Sequence, residues 1–172
     1  MIDMETFLLL TTILKTFAIS LGVGSSTLAI TNFFVAIADG EIDETERRMM
    51  GVVYVVLRIA MVLILATVAL LVGTEYSAVG ITHLSAYSLA ELTVLFVLYL
   101  NALLMSAHLV PTTVGPAFQA GSWYALGTLT ALAAASHAGF TYFQFLVSYV
   151  AWVILAIGIV NFIMAILKAK RG

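Results

Sequence analysis

Five long apolar stretches follow one another along the chain, separated by short and more polar connections. Each matches or exceeds the roughly 20 residues that an α-helix needs to cross about 30 Å of hydrocarbon. Of the 7 basic and 9 acidic residues, only Lys15, Arg58 and Glu91 lie inside these stretches. The stretches are 7–37, 49–73, 87–110, 114–135 and 140–167. This pattern predicts an all-α integral membrane bundle of five transmembrane helices.

Composition strengthens this prediction. The mean hydropathy is +1.14, and charged residues make up 9% of the chain, compared with about a quarter in soluble domains. The stretches and their turns use almost all of the 172 residues, so we expect a single transmembrane domain over residues 1–172 and no separate soluble domain. We therefore expect a multi-pass protein of a cell membrane, the prokaryotic inner membrane, that contacts the lipid bilayer and binds no nucleic acid.

Basic residues are distributed unevenly among the connections. The first connection carries Arg47 and Arg48, and the C-terminal tail carries Lys168, Lys170 and Arg171. The N-terminus and the second and fourth connections carry no Lys or Arg. Because basic connections stay in the cytoplasm, we expect the N-terminus outside and the C-terminus in the cytoplasm.

The first connection has a pattern typical of a helical hairpin. Asp39–Gly40 predicts a turn that ends the first helix, and Asp43 with Glu46 predicts a capping box on the second. The alternative is the second half of a calcium loop, with Glu46 as its last ligand. The first half would then start at Val35 and Ile37, which offer no side-chain oxygen. The capping interpretation is therefore favoured.

Depth along the helices can be counted at about 1.5 Å per residue. Lys15 lies roughly 36 Å from Asp39, which places it near the outer membrane boundary. Glu91 lies roughly 26 Å from His108 and so comes close to the same boundary. Because the two side chains have matching depth and opposite charge, we expect Lys15 and Glu91 to form an ion pair.

Arg58 lies about 14 Å beyond Met49, which places it close to the middle of the bilayer. Asn101 has a similar depth, and Asn32 and Asn161 lie about 10 Å from the cytoplasmic ends of their helices. We expect these side chains to form a polar layer. Two interpretations of Arg58 remain: a structural clamp held by Asn101 and backbone oxygens, or a group that binds an anion or lines an ion or substrate path.

The three histidines fall at the ends of the stretches. His83 and His137 belong to the outer connections, whereas His108 lies at the cytoplasmic end of the third stretch. His83 and His137 are weak metal candidates, with Glu75 as a third ligand, but no HExxH-type spacing occurs. A bis-histidine haem would need two histidines at mid-span. We therefore predict no metal site and no bound cofactor, with haem as an alternative.

Small residues predict where helices pack closely, since they let two backbones approach each other in a membrane. They recur at spacings of three and four residues on the first and fourth stretches: Gly22, Ser25, Ser26, Ala29, Gly121, Ala125, Gly127 and Ala131.

Six short segments together resemble an uncharacterised group of prokaryotic polytopic membrane proteins: 21–27, 33–34, 39–43, 56–58, 100–103 and 122–124. That group is distantly similar to small haem-binding membrane proteins and to the copper-resistance D type. It places a histidine where Lys15 stands, a basic residue where Glu91 stands and an acidic residue where Ile30 stands. The resemblance implies the five-helix fold and a role for Arg58, and it leaves the activity open.

Three functions fit these observations. The first is a non-catalytic helical subunit that packs into a larger membrane assembly, with other subunits or with copies of itself, through its small-residue faces. The second is a small oligomeric channel or transporter that uses Arg58, Asn101 and Asn161. The third is a haem-binding electron-transfer protein. Because the sequence shows no nucleophile and base pair and no phosphate-binding loop, we expect no enzyme.

Overall fold

The computed structural model describes residues 3–39, 43–111, 114–137 and 139–170. Within these residues the chain forms five long α-helices, one short 3₁₀ helix and no strand. The helices are α1 (Met4–Asp39), α2 (Glu44–Val79), α3 (Ala86–Ser106), α4 (Gly115–Ala134) and α5 (Tyr142–Ala169), with the 3₁₀ helix at Ile81–His83. The predicted all-helical class and the five helices are confirmed.

Four of the five helices, α1, α2, α3 and α5, are long and apolar enough to cross a membrane. Helix α4 differs because it lies at the centre of the bundle, where it packs against α1, α3 and α5. Nearly half of its residues are buried, among them Gln119, Gly121 and Ser122. Small and polar residues therefore replace the large apolar ones that lipid would select. The bundle is compatible with a membrane protein.

The helices differ in length. Helix α3 has 21 residues, or about 31 Å, which matches the thickness of the hydrocarbon core. Helices α1 and α2 have 36 residues each, or about 54 Å, and so extend well beyond it. Helix α3 ends at Ser106, earlier than the apolar stretch predicts, because the chain turns at His108, whose φ is 59°.

The first turn of α2 is closed as the sequence predicts. The Asp43 carboxylate accepts a hydrogen bond of 2.6 Å from the N–H of Glu46, and the N–H of Asp43 donates to the Glu46 carboxylate at 3.1 Å. The capping box is confirmed. The predicted turn at Gly40 lies outside the described residues.

The small residues of α1 and α4 make close contacts inside the bundle. A Cβ atom added at Gly22 would lie 2.2 Å from the ring of Trp123, which is completely buried. A Cβ atom on Gly127 would lie 3.4 Å from Val23, and one on Gly121 would lie 3.2 Å from a side chain of α5. These faces therefore join the helices of this chain to one another.

Candidate functional site

A cavity of about 370 Å³ opens between α1, α2, α3 and α4, and we call it the inner cavity. Its lining includes Ala102 and Ser106 from the last turns of α3 and Pro116 from the first turn of α4. Arg58 of α2 lines the same cavity, and its side chain is exposed. The cavity therefore lies at the end of the bundle where α3 stops and α4 begins.

The level of Arg58 along α3 follows from a neighbouring hydrogen bond. The hydroxyl of Tyr99 donates a hydrogen bond of 2.6 Å to the carbonyl of Met61, which places Met61 near the second half of α3. Arg58 lies about one turn closer to the end of α3 at Ser106. Arg58 therefore lies beside the last turns of α3 and not beside its middle. The count from Met49 did not show this, because α2 extends past the end of α3.

The predicted clamp between Arg58 and Asn101 is not formed. The side-chain amide of Asn101 donates instead to Gln119 at 2.8 Å and to the carbonyl of Gly115 at 3.1 Å. Within the described residues, Arg58 has no hydrogen-bond partner and no ion pair. Asn101 lies on the face of α3 that packs against α4, so α4 satisfies its amide. Sequence reasoning missed Gln119, although it is the only amide side chain in the fourth apolar stretch.

The other two asparagines do not join a polar layer either. Asn161 donates to the carbonyl of Ile157 in its own helix, at 2.9 Å. The amide nitrogen of Asn32 is buried and has no hydrogen-bond partner among the described residues. Depth along a helix does not fix the direction in which a side chain points, and these side chains point to different neighbours.

The opposite end of α3 carries the predicted ion pair. The Lys15 ammonium lies 2.7 Å from Glu91 Oε1, and the side chains of the two residues are only 7% and 2% exposed. The expected contact between these two helices is confirmed.

Tyr87 completes this group, which we call the outer cluster: Lys15, Tyr87 and Glu91. The Tyr87 hydroxyl donates to Glu91 Oε1 at 2.8 Å and lies 3.3 Å from the Lys15 ammonium. The ammonium also lies 5.1 Å from the centre of the Tyr87 ring. Sequence reasoning assigned no polar role to Tyr87, although it precedes Glu91 by four residues, one turn of the same helix face.

Glu75 and the histidines do not form a metal site. The Glu75 carboxylate accepts a hydrogen bond of 2.6 Å from the N–H of Ser85, at the start of α3. His83 lies in the exposed 3₁₀ helix, and His137 Nδ1 lies 2.6 Å from a backbone carbonyl. In the part of the chain that the structure describes, no three His, Cys, Asp or Glu residues come together to hold a metal ion. All three histidines lie outside the five long helices.

A second cavity, of about 430 Å³, lies between α4 and α5. Its walls are mainly apolar and aromatic, with Phe140, Phe145, Tyr149 and Trp152 among them, and none of the described residues that line it is charged. The cavity could hold an apolar group, but none of its described lining residues has a charge that would recognise an ion.

No family model, no curated protein and no solved structure matches this chain. Its apolar helical bundle is compatible with an integral membrane protein. Any more specific function has to follow from its own residues.

Proposed function

We propose that this chain is a non-catalytic helical subunit of a larger membrane assembly, and that the outer face of α2 makes the contact. The single observation that carries this proposal is an exposed seam of residues along α2. The partner is a membrane-spanning helix of another subunit or of a second copy of the chain.

The seam follows alternating spacings of three and four residues, the pattern of helices that pack along their length. Its first half is β-branched and between 51% and 67% exposed, and its second half consists of small exposed residues. Small residues at such spacing let two helices approach closely within a membrane, whereas contact with lipid alone does not require them. The seam residues are Val52, Val55, Ile59, Val62, Ala66, Ala69 and Gly73.

The predicted docking faces on α1 and α4 are less suitable for a partner. Gly22, Gly121 and Gly127 already lie against side chains of this chain. On the seam, by contrast, a Cβ atom added at Gly73 would meet nothing within 4 Å. The seam on α2 is therefore a small-residue surface that remains open.

The test compares Gly73→Leu with Gly158→Leu. Both glycines lie in exposed helix positions, and a Cβ atom at either would meet nothing within 4 Å. A leucine should therefore be tolerated within the chain at both sites. We expect Gly73→Leu to lower the mass of the complex isolated in native lipid particles and Gly158→Leu to leave it unchanged. An unchanged mass for Gly73→Leu, or an equal loss in both variants, would contradict the proposal.

We further propose that the N-terminus faces outward and the C-terminus faces the cytoplasm. The basic residues of the first connection and of the C-terminal tail support this orientation. A reporter that is active only in the cytoplasm should give signal when fused after Lys170. A silent fusion there, together with an active one at Ser136, would reverse the orientation.

A second candidate function is a small channel or transporter, and the inner cavity is the observation in its favour. Arg58 would then select an anion that enters the cavity. If ion flux into liposomes is present and Arg58→Leu abolishes it while the mass of the complex is unchanged, transport replaces assembly as the better account.

A further inference from the structure

Among the described residues that line the inner cavity, Arg58 is the one with a formal charge. A guanidinium has five N–H donors in a planar fork and stays protonated in proteins. Within the described residues, neither a carboxylate nor a carbonyl accepts from it. In a site bordered by apolar helices this charge has strong attraction for an anion, because the surroundings screen it less than water does.

The position of the cavity limits what that anion can be. Ala102, Met105 and Ser106 come from the last turns of α3, and a helix of this length that crosses a bilayer ends near the level of the lipid headgroups. Tyr54 adds a hydroxyl group to the lining, whereas the Ser106 hydroxyl donates to the Ala102 carbonyl at 2.9 Å. The guanidinium fork and the Tyr54 hydroxyl suit the multiple oxygens of a phosphate, to which arginine binds in a bidentate way.

Most of the remaining lining is apolar, and Ser26 and Gln119 are its other polar members. Ile30 and Phe33 of α1 and Met61 of α2 form walls without charge. The volume of about 370 Å³ lies within the range of small-molecule sites, roughly 300–1,000 Å³. Such a space accommodates a headgroup and the beginning of an acyl chain, while the remainder of the chain stays in the bilayer.

We propose that the inner cavity binds an anionic phospholipid, with its phosphate against Arg58 and the start of one acyl chain against Ile30 and Phe33. The lipid places a negative charge beside Arg58, which has no acidic partner among the described residues. The proposal does not depend on assembly through the seam on α2, although Arg58 lies beside seam residues Val55 and Val62, because its test measures the bound lipid and not the mass of the complex.

The test uses the full chain in lipid nanodiscs that contain equal amounts of phosphatidylglycerol and phosphatidylcholine. Native mass spectrometry then measures which lipid remains bound. We expect the wild type to retain one phosphatidylglycerol, and Arg58→Gln to reduce its excess over phosphatidylcholine by at least about tenfold. Arg48→Gln, which removes a cation from the exposed start of the same helix, serves as the control and should keep the excess.

A second variant tests the cavity itself. Ala102→Phe fills the space beside Arg58 while leaving the guanidinium in place, and it should also lose the bound phosphatidylglycerol. The proposal is overturned if Arg58→Gln keeps the excess, if Arg48→Gln loses as much as Arg58→Gln does, or if Ala102→Phe binds the lipid as the wild type does. Retention of added oleate in place of phosphatidylglycerol would overturn the assignment of a phosphate headgroup.

Discussion

A cation lies beside each end of α3 within the apolar bundle, and the two cations differ in burial and in partners. At one end, Lys15 is buried and paired with Glu91 and Tyr87. At the other end, Arg58 is exposed on the wall of a cavity and has no partner among the described residues.

This difference separates a structural charge from a charge that is available for binding. The outer cluster satisfies itself, because its ammonium, carboxylate and hydroxyl groups all find partners within the chain. The cation of the inner cavity has no counter-charge among the described residues, and we propose that an anionic lipid supplies it. The first site should therefore govern stability, and the second should govern what the protein binds.

The largest expected effect comes from breaking the outer cluster on one side. Lys15→Met or Glu91→Gln leaves a buried polar or charged group without its partner, and each should lower the free energy of unfolding by about 3–5 kcal/mol. The double variant should recover part of this loss, because both members of the pair are then gone. Thermal unfolding in detergent measures all four states of the cycle, and strictly additive losses would argue against direct coupling.

A smaller effect is expected where α3 packs against α4, next to the inner cavity. Asn101→Leu would leave buried Gln119 without its donor, and we expect a loss of about 1–3 kcal/mol. Asn161→Leu is the matched control, because the Asn161 amide bonds only within its own helix. If both variants lower the free energy of unfolding equally, the hydrogen bond between α3 and α4 stabilises the protein no more than a bond within one helix.

The smallest expected effect is that of Tyr87→Phe. The ring remains, but the hydrogen bond to Glu91 is lost, which should reduce stability by about 1 kcal/mol. The effect should disappear in the background of Glu91→Gln if the hydroxyl acts through that carboxylate. If Tyr87→Phe lowers stability by the same amount in that background, the Tyr87 hydroxyl acts through a group other than the Glu91 carboxylate.

The outer cluster could largely be predicted from the sequence. Lys15 and Glu91 have opposite charges at similar depths, and a membrane interior strongly favours the pairing of such groups. Tyr87 was missed because an aromatic residue near a membrane boundary has a more common role as an interfacial anchor.

The inner cavity could not be predicted in the same way. The apolar pattern of α2 gives its length but not where the ends of α3 and α4 lie beside it, so the position of Arg58 beside the last turns of α3 could not be counted. The predicted partner Asn101 bonds to Gln119, because the packing of α3 on α4 decides its direction. The direction in which a side chain points between helices depends on tertiary packing, and counting residues along the sequence does not show it.

The most direct test of the account is to replace each of the two cations with methionine and compare thermal unfolding in the same zwitterionic lipid or detergent. Lys15→Met and Arg58→Met each remove one positive charge from an apolar helix. The account predicts a large fall in the unfolding midpoint for Lys15→Met and, for Arg58→Met, a change in unfolding free energy within about 0.5 kcal/mol. A fall for Arg58→Met as large as that for Lys15→Met would show that Arg58 is held within the chain, and would contradict the distinction between the two sites.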